Sequence, residues 1–182
     1  MGNQELHPPE PRLTAERDAF ISALVAGHRH QVLEIGCGTG EDGLAFVAAG
    51  INYVGLDPSE ENIHRARARH LEAVVGTPAE LPFADETFDA AWARDALANV
   101  ADTDLYGVMI EVMRVLKPGA PLAVGLPSKT ADSRPGAGGF QSLRSDEMVR
   151  NLFEPHGDIR TFTSWEADGG CGQYRFLVVA KP

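Results

Sequence analysis

Val32-Leu33-Glu34-Ile35-Gly36-Cys37-Gly38-Thr39-Gly40 is an apolar run with one acid that leads into three glycines at alternate positions. The apolar part has the character of a buried strand end. The glycines mark a turn where side chains would obstruct, because a residue without Cβ takes positive φ and lets a ligand approach the backbone. A strand, such a turn and then a helix form the usual entrance to a nucleotide site in an open α/β sheet.

The dinucleotide fingerprint G-x-G-x-x-G does not fit this position. Counted from Gly36, its third glycine falls on Glu41. The pattern Gly38-Thr39-Gly40-Glu41-Asp42-Gly43 starts too far beyond the apolar run. Glu41 and Asp42 suit a helix N-terminus but would repel a pyrophosphate placed there. The turn is therefore expected to take a ligand without phosphates, or one with positive charge.

Outward from the turn, apolar periods alternate between strand and helix. Helices are predicted over Thr14–Gly27, Glu41–Ala49 (with Leu44, Val47 and Ala48 inward), Ser59 to about His70, Thr103–Leu116 and Ser145–Phe153. Strands are predicted over Gln31–Ile35, Asn52–Leu56, Leu71–Gly76, Phe88–Ala93, Pro121–Leu126, Ile159–Trp165 and Tyr174–Ala180. Lys129–Gly139 reads as a glycine- and serine-rich loop and Asp168-Gly169-Gly170 as a turn. The expected fold is α/β, a mostly parallel sheet with an antiparallel edge. Residues 1–13 form an N-terminal arm and residues 14–182 the domain.

Composition narrows the classes. The chain has 182 residues, 43% apolar and 23% charged, which suits one globular domain with a full core. A formal charge of −10 disfavours a polyanionic partner, and Arg65, Arg67 and Arg69 fan around a helix instead of forming a patch. Cys37 and Cys171 make no disulfide framework, and no long apolar span or leader is seen. A cytoplasmic compartment without membrane contact is the expectation. Cys37 reads as a small buried residue under the turn and Cys171 as a hairpin thiol. The six histidines show no metal spacing and read as surface residues, so no metal is expected.

Val32–Gly40 resembles the first motif of the class I S-adenosylmethionine-dependent methyltransferases, of the small, single-domain, type 11-like kind. The resemblance extends over nearly the whole chain from about Thr14. It implies a Rossmann-like three-layer sandwich whose seven-stranded sheet has its last strand inserted antiparallel. It also implies S-adenosylmethionine as cofactor, a molecule with a sulfonium cation and no phosphate, held at Glu34, Gly36, Cys37, Gly38 and Gly40. Asp57, 21 residues after Gly36, sits where an acid accepts from ribose hydroxyls, with Pro58 beside it. Glu34 is placed near the methionine end.

Two segments depart from the family pattern. After the third strand an acid and an alanine commonly contact adenine, whereas Thr77 and Pro78 stand there. Proline has no N–H to donate, which shifts adenine recognition toward Ala79 or Glu80. After the fourth strand many relatives carry histidines where Ala98 and Asn99 stand, so Arg94 and Asp95 are the polar groups expected at the reaction centre. Either Asp95 acts as base or the acceptor is already nucleophilic. Arg114–Gly119 resembles the family's structural turn into the fifth strand, and Pro127-Ser128 marks a substrate edge.

The expected activity is methyl transfer to a small-molecule acceptor rather than to nucleic acid. The arm and the loop Pro127–Arg144 cover the pocket, or a second subunit of a homodimer does. A catalytically silent protein of the same fold and an NAD-linked oxidoreductase are the competing readings.

Overall fold

In a computed structural model the chain is described over residues 11–129, 145–166 and 172–182. The helices are α1 (Pro11–Ala26), α2 (Glu41–Ala48), α3 (Glu60–Ala68), α4 (Asp102–Val115) and α5 (Asp146–Phe153). The strands are β1 (Gln31–Ile35), β2 (Asn52–Asp57), β3 (Ala73–Val75), β4 (Ala90–Arg94), β5 (Pro121–Lys129), β6 (Asp158–Glu166) and β7 (Gly172–Ala180). They form one seven-stranded sheet in the order β3-β2-β1-β4-β5-β7-β6. The first five strands pair in parallel, and β7 is inserted antiparallel between β5 and β6 at one end of the sheet.

Alternation along each strand creates two cores. In β1, Val32 packs with Phe20 and Leu24 of α1, Phe46 of α2 and Ile63 of α3. Its neighbours Leu33 and Ile35 pack on the other face with Leu105, Met109 and Val112 of α4 and Phe153 of α5. The result is the expected three-layer sandwich. The strand order reverses at β1, and in open α/β sheets ligands bind outside the carboxyl ends of strands at such a point.

Several expectations need correction. α1 is already helical at Pro11, the first described residue, and proline is tolerated in a first helical turn because it lacks only an N–H that would be unpaired there. Thr14 is therefore not its cap, and Leu13 belongs to the core, so the boundary between arm and domain falls inside α1. α2 is turned relative to its expected face: Asp42, Gly43 and Phe46 are buried, while Leu44, Val47 and Ala48 face outward. Gly43 sets this phase by close packing, since a Cβ there would lie 2.5 Å from Tyr53 Cζ. Of the histidines, His156 is buried against the Tyr106 ring, and burial lowers its pKa. The expected loop 130–139, the turn 168–170 and Cys171 lie outside the described residues. Among the described residues no helix is long and apolar enough to cross a membrane.

Candidate functional site

The turn after β1 is hooked over the end of β2. Gly36 and Cys37 N–H both donate to Leu56 O, and Gly40 N–H closes the turn onto Cys37 O. Gly36, Gly38 and Gly40 have φ of 71°, 53° and 84°, the left-handed region that glycine enters at no steric cost. A Cβ at Gly36 would meet Ala96 Cβ at 2.5 Å, whereas among the described residues nothing beyond its own chain neighbours lies within 4 Å of the Cβ position at Gly38. The turn is thus tight against the loop after β4 and open above its centre.

A cavity of about 360 Å³ opens there. Gly36, Asp57, Pro58, Pro78, Arg94 and Asp95 line it, all of them expected at the site. The remaining walls are apolar: Ile35, Leu56, Ala96 and Val100. Sequence reading missed these four, although Ile35 and Leu56 each directly precede an expected residue at a strand's carboxyl end.

Asp57 joins the turn to the helix that follows. Its Oδ2 accepts from Gly38 N–H at 2.9 Å, and its Oδ1 accepts from Ser59 N–H at 2.9 Å and Asn62 Nδ2 at 3.1 Å. A carboxylate offers about four lone-pair positions, so acceptor capacity remains toward the cavity.

Other expected residues support the cavity without lining it. Cys37 is buried beneath the turn, packed where Gly55 leaves room, and burial pushes its thiol up to about 12. Gly40 packs on Leu71. Glu34 is buried behind the turn and accepts a 2.6 Å hydrogen bond from Tyr53 Oη. Burial first, and then the charge of Asp42, push its pKa up to about 8, against the lowering effect of Tyr53. Thr77, Ala79 and Glu80 are exposed around a tight Thr77–Glu80 bridge, and only Pro78 of that group reaches the cavity. The shift of recognition toward Ala79 or Glu80 is thus not seen in the cavity wall, because the bridge turns both outward.

The loop bearing Pro78 is clamped from α4. Arg114 donates to Phe83 O, Leu81 O and Asp85, while Glu111 accepts from Leu81 N–H. The turn into β5 that the sequence marked as structural therefore also fixes one wall of the site.

Arg94 and Asp95 end β4 at the far side of the cavity. Arg94 Nε pairs with Asp42 Oδ2 at 3.1 Å, and Arg17 Nη1 and Trp92 Nε1 also converge on Asp42. The acid at the start of α2 is thus neutralised internally and is not presented to a ligand, contrary to the sequence expectation. Asp95 is a non-glycine residue at φ 63°, a conformation that persists when the surroundings over-determine it. Tyr174 Oη holds it at 2.7 Å. Arg17, Tyr53 and Tyr174 were not foreseen, since each comes from a distant element.

A larger cavity of about 500 Å³ lies between α1 and the faces of β6 and β7. Its walls are chiefly apolar, among them Phe20, Leu24, Phe176 and Val178. It holds neither the turn nor the acid at the end of β2.

A doubly wound sheet, a glycine turn with an open centre and an acid at the end of β2 have the form of a nucleoside-binding site in an α/β protein. Comparisons with known proteins agree. A family described as a methyltransferase domain matches residues 32–119. The chain is 37% identical over 123 residues to 24-methylenesterol C-methyltransferase 2 of Oryza sativa subsp. japonica, covering 62% of this chain and 32% of that protein. It is 36% identical over 123 residues to 27-O-demethylrifamycin SV methyltransferase of Amycolatopsis mediterranei, covering 63% and 43%. A solved SAM-dependent methyltransferase of Methanosarcina mazei superposes with a TM-score of 0.73 at 21% identity, covering 84% of this chain and 92% of that one. Residues 32–119 thus match a methyltransferase domain, the chain is similar to S-adenosylmethionine-dependent methyltransferases, and it spans less than half the length of these two curated relatives.

Proposed function

We propose that the chain transfers a methyl group from S-adenosylmethionine to a small-molecule acceptor. The observation that carries this reading is Asp57, fixed by Gly38 N–H at the open centre of the glycine turn and lining the cavity. The residues present fit the cofactor. Asp57 would accept from the ribose hydroxyls, Leu56, Pro58 and Pro78 would hold the adenine, and Gly36 and Gly38 would admit the tail close to the backbone. Arg94 would face the methionine end and Asp95 the acceptor.

The cofactor, when bound, supplies an electrophilic methyl carbon on a sulfonium. The protein's task is then to align the acceptor in line with that carbon and exclude water. Ala96 and Val100 present an apolar wall of the cavity beside Asp95, which is itself exposed. For an acceptor that carries a proton, Asp95 would be the group that accepts that proton. For an acceptor with a free lone pair, Asp95 orients it.

The small-molecule assignment rests on three supports. The cavity is compact, the chain carries a formal charge of −10, and relatives are named for a sterol and a rifamycin. Calorimetric titration with S-adenosylmethionine, S-adenosylhomocysteine and NAD tests the cofactor. Binding of the first two alone is expected; binding of NAD, or of none by folded protein, overturns it. Transfer of radiolabelled methyl to a panel of phenols, amines and sterols, compared with oligonucleotides, then tests the acceptor class.

A further inference from the structure

The larger cavity, about 500 Å³ between α1 and the faces of β6 and β7, shares no lining residue with the cavity beside the glycine turn. The course of α1 shows where it lies. Arg12 Cζ, at the start of the helix, sits 4.4 Å from the centre of the Trp165 ring, and Trp165 pairs through Tyr174 to Pro127 late in β5. Arg29, just after the helix, donates to Gly119 O at 2.7 Å, just before β5 begins. α1 therefore runs antiparallel to β5. The cavity reaches Gly119, Pro121 and Ala180, so it opens toward the amino end of β5, away from the glycine turn.

Two small residues leave the space open. Ala19 and Ala23, one helical turn apart, line the cavity and send nothing beyond Cβ into it. Phe20, Leu24, Phe176 and Val178 give it apolar walls. The charged groups sort to its two ends. Glu16 stands at one, ~12 Å along the helix from Leu24. Arg29 and Arg160 stand at the other.

The two arginines differ in how their charge is met. Arg160 Nε pairs with Asp158 at 3.2 Å, but both side chains are mostly exposed and the pair is weak. Arg29 Nη1 and Nη2 donate to Asp89 O at 3.0 Å and Gly119 O at 2.7 Å. Both acceptors are neutral carbonyls. The Asp89 carboxylate is itself taken by Lys117 and by the N–H groups of His30 and Gln31. Among the described residues no carboxylate pairs with Arg29, and a guanidinium has more N–H donors than these two bonds use.

We infer that this cavity is a second ligand site that takes an amphipathic carboxylate, with the hydrocarbon part between α1 and the sheet and the carboxylate at Arg29. A concave, mostly apolar space with few convergent polar groups is the usual form of a small-ligand site. A chain of formal charge −10 repels small anions in general, so an anion is held only where a cation is fixed and not already paired with an acid. Arg29 meets that condition and Arg160 adds to its field. The apolar walls select against a compact polar anion. The inference does not depend on the methyl-donor reading.

Calorimetric titration with hexanoate, octanoate and decanoate, each below its micelle concentration, tests the site. Affinity is expected to rise ~3-fold per methylene as the chain fills the cavity. Decanoate is expected to bind ~10-fold more tightly than decanol, and added salt should weaken decanoate alone. Arg29→Gln should remove most of that preference and leave decanol unchanged. Ala23→Phe fills the cavity from α1 and should weaken both ligands ~10-fold or more. Ala19→Leu replaces it if a thermal melt shows that Ala23→Phe does not fold, and the salt series on the wild type replaces Arg29→Gln in the same case.

No binding of decanoate by the folded protein, or a flat chain-length series, overturns the inference. Unchanged decanoate affinity in the cavity-filling variant places the ligand elsewhere and overturns it too. Equal affinity for decanoate and decanol in the wild type, or equal weakening of both in Arg29→Gln, overturns the carboxylate assignment.

Discussion

Tyr174 Oη donates to Asp95 Oδ1 at 2.7 Å, which joins β7 to the turn after β4 across 79 residues of sequence. The phenol reaches Asp95 by passing over Gly125 of β5, where a Cβ would lie 2.2 Å from Tyr174 Oη. Asp95 N–H in turn donates to Gly125 O, so both ends of Asp95 are tied to the same place. This acid of the cavity wall is therefore fixed by the strand that is inserted antiparallel.

That packing is open to a stability test. Gly125→Ala is expected to destabilise the protein by ~1–3 kcal/mol, the usual cost of overpacking. Tyr174→Phe removes the nearest clashing atom, so the double variant should lose less than the sum of the two single losses. Urea denaturation of the four proteins measures the coupling. Strict additivity would show that the two positions do not touch.

Asp57 lines the cavity and also ties the glycine turn to α3. Asp57→Ala should lower S-adenosylhomocysteine affinity by ~100-fold or more, because the ribose loses its acceptor and Gly38 its tether. It should also cost ~1–2 kcal/mol of stability, as Ser59 N–H and Asn62 lose their partner. Calorimetry and denaturant unfolding read the two effects separately. Full affinity in Asp57→Ala would remove the central support for the cofactor site.

Glu34 makes stability depend on pH. Its folded-state pKa is raised from 4.5 to about 8. Between those values the unfolded chain ionises while the native carboxyl keeps its proton, so Glu34 progressively disfavours the native state as pH rises. Glu34→Gln removes this term and retains a hydrogen-bonding partner for Tyr53. The stability of the variant relative to wild type should therefore increase from pH 4.5 toward 8 by an amount on the order of a few kcal/mol. Parallel denaturation curves across that range would disprove the raised pKa.

Gly40 carries both a backbone and a packing constraint. Its φ is 84°, and a Cβ would meet Leu71 Cδ1 at 2.3 Å. Gly40→Ala should cost ~2–4 kcal/mol from the left-handed conformation and the clash together. Trimming the partner in Gly40→Ala/Leu71→Ala should relieve the clash and leave the backbone cost. Thermal melts that show no recovery would assign the whole effect to the backbone.

Much of the scaffold was legible because its signals are local. The run into Gly36 named the first strand and its turn, Asp57-Pro58 ended the second, and Ser59 caps α3 through Asn62 N–H as its position suggests. Leu105, Val108, Met109 and Val112 share a face at helical spacing and are all buried. α2 was harder. In a helix of eight residues, Leu44 and Val47 compete with Gly43 and Phe46 for the inner face, and contact with Tyr53 on β2 settled the choice. The adenine loop was read as a departure from the family, yet which of its residues reaches the cavity depends on the bridge between Thr77 and Glu80 and on the clamp from Arg114.

The amino-acid sequence by itself determined the sandwich of alternating elements, the position of the glycine turn and the acid at the end of β2. Each depends on steric and hydrophobic preferences of neighbouring residues. Only the tertiary structure decided how the charges at the site are used. Asp42 stands at a helix start that invites a ligand cation, but Arg17 and Arg94 arrive from α1 and β4 to neutralise it. Asp95 and Tyr174 meet because β7 runs beside β5. The charge state of a buried group depends on everything packed around it in a medium of low dielectric, and no local pattern encodes which distant partners will be there.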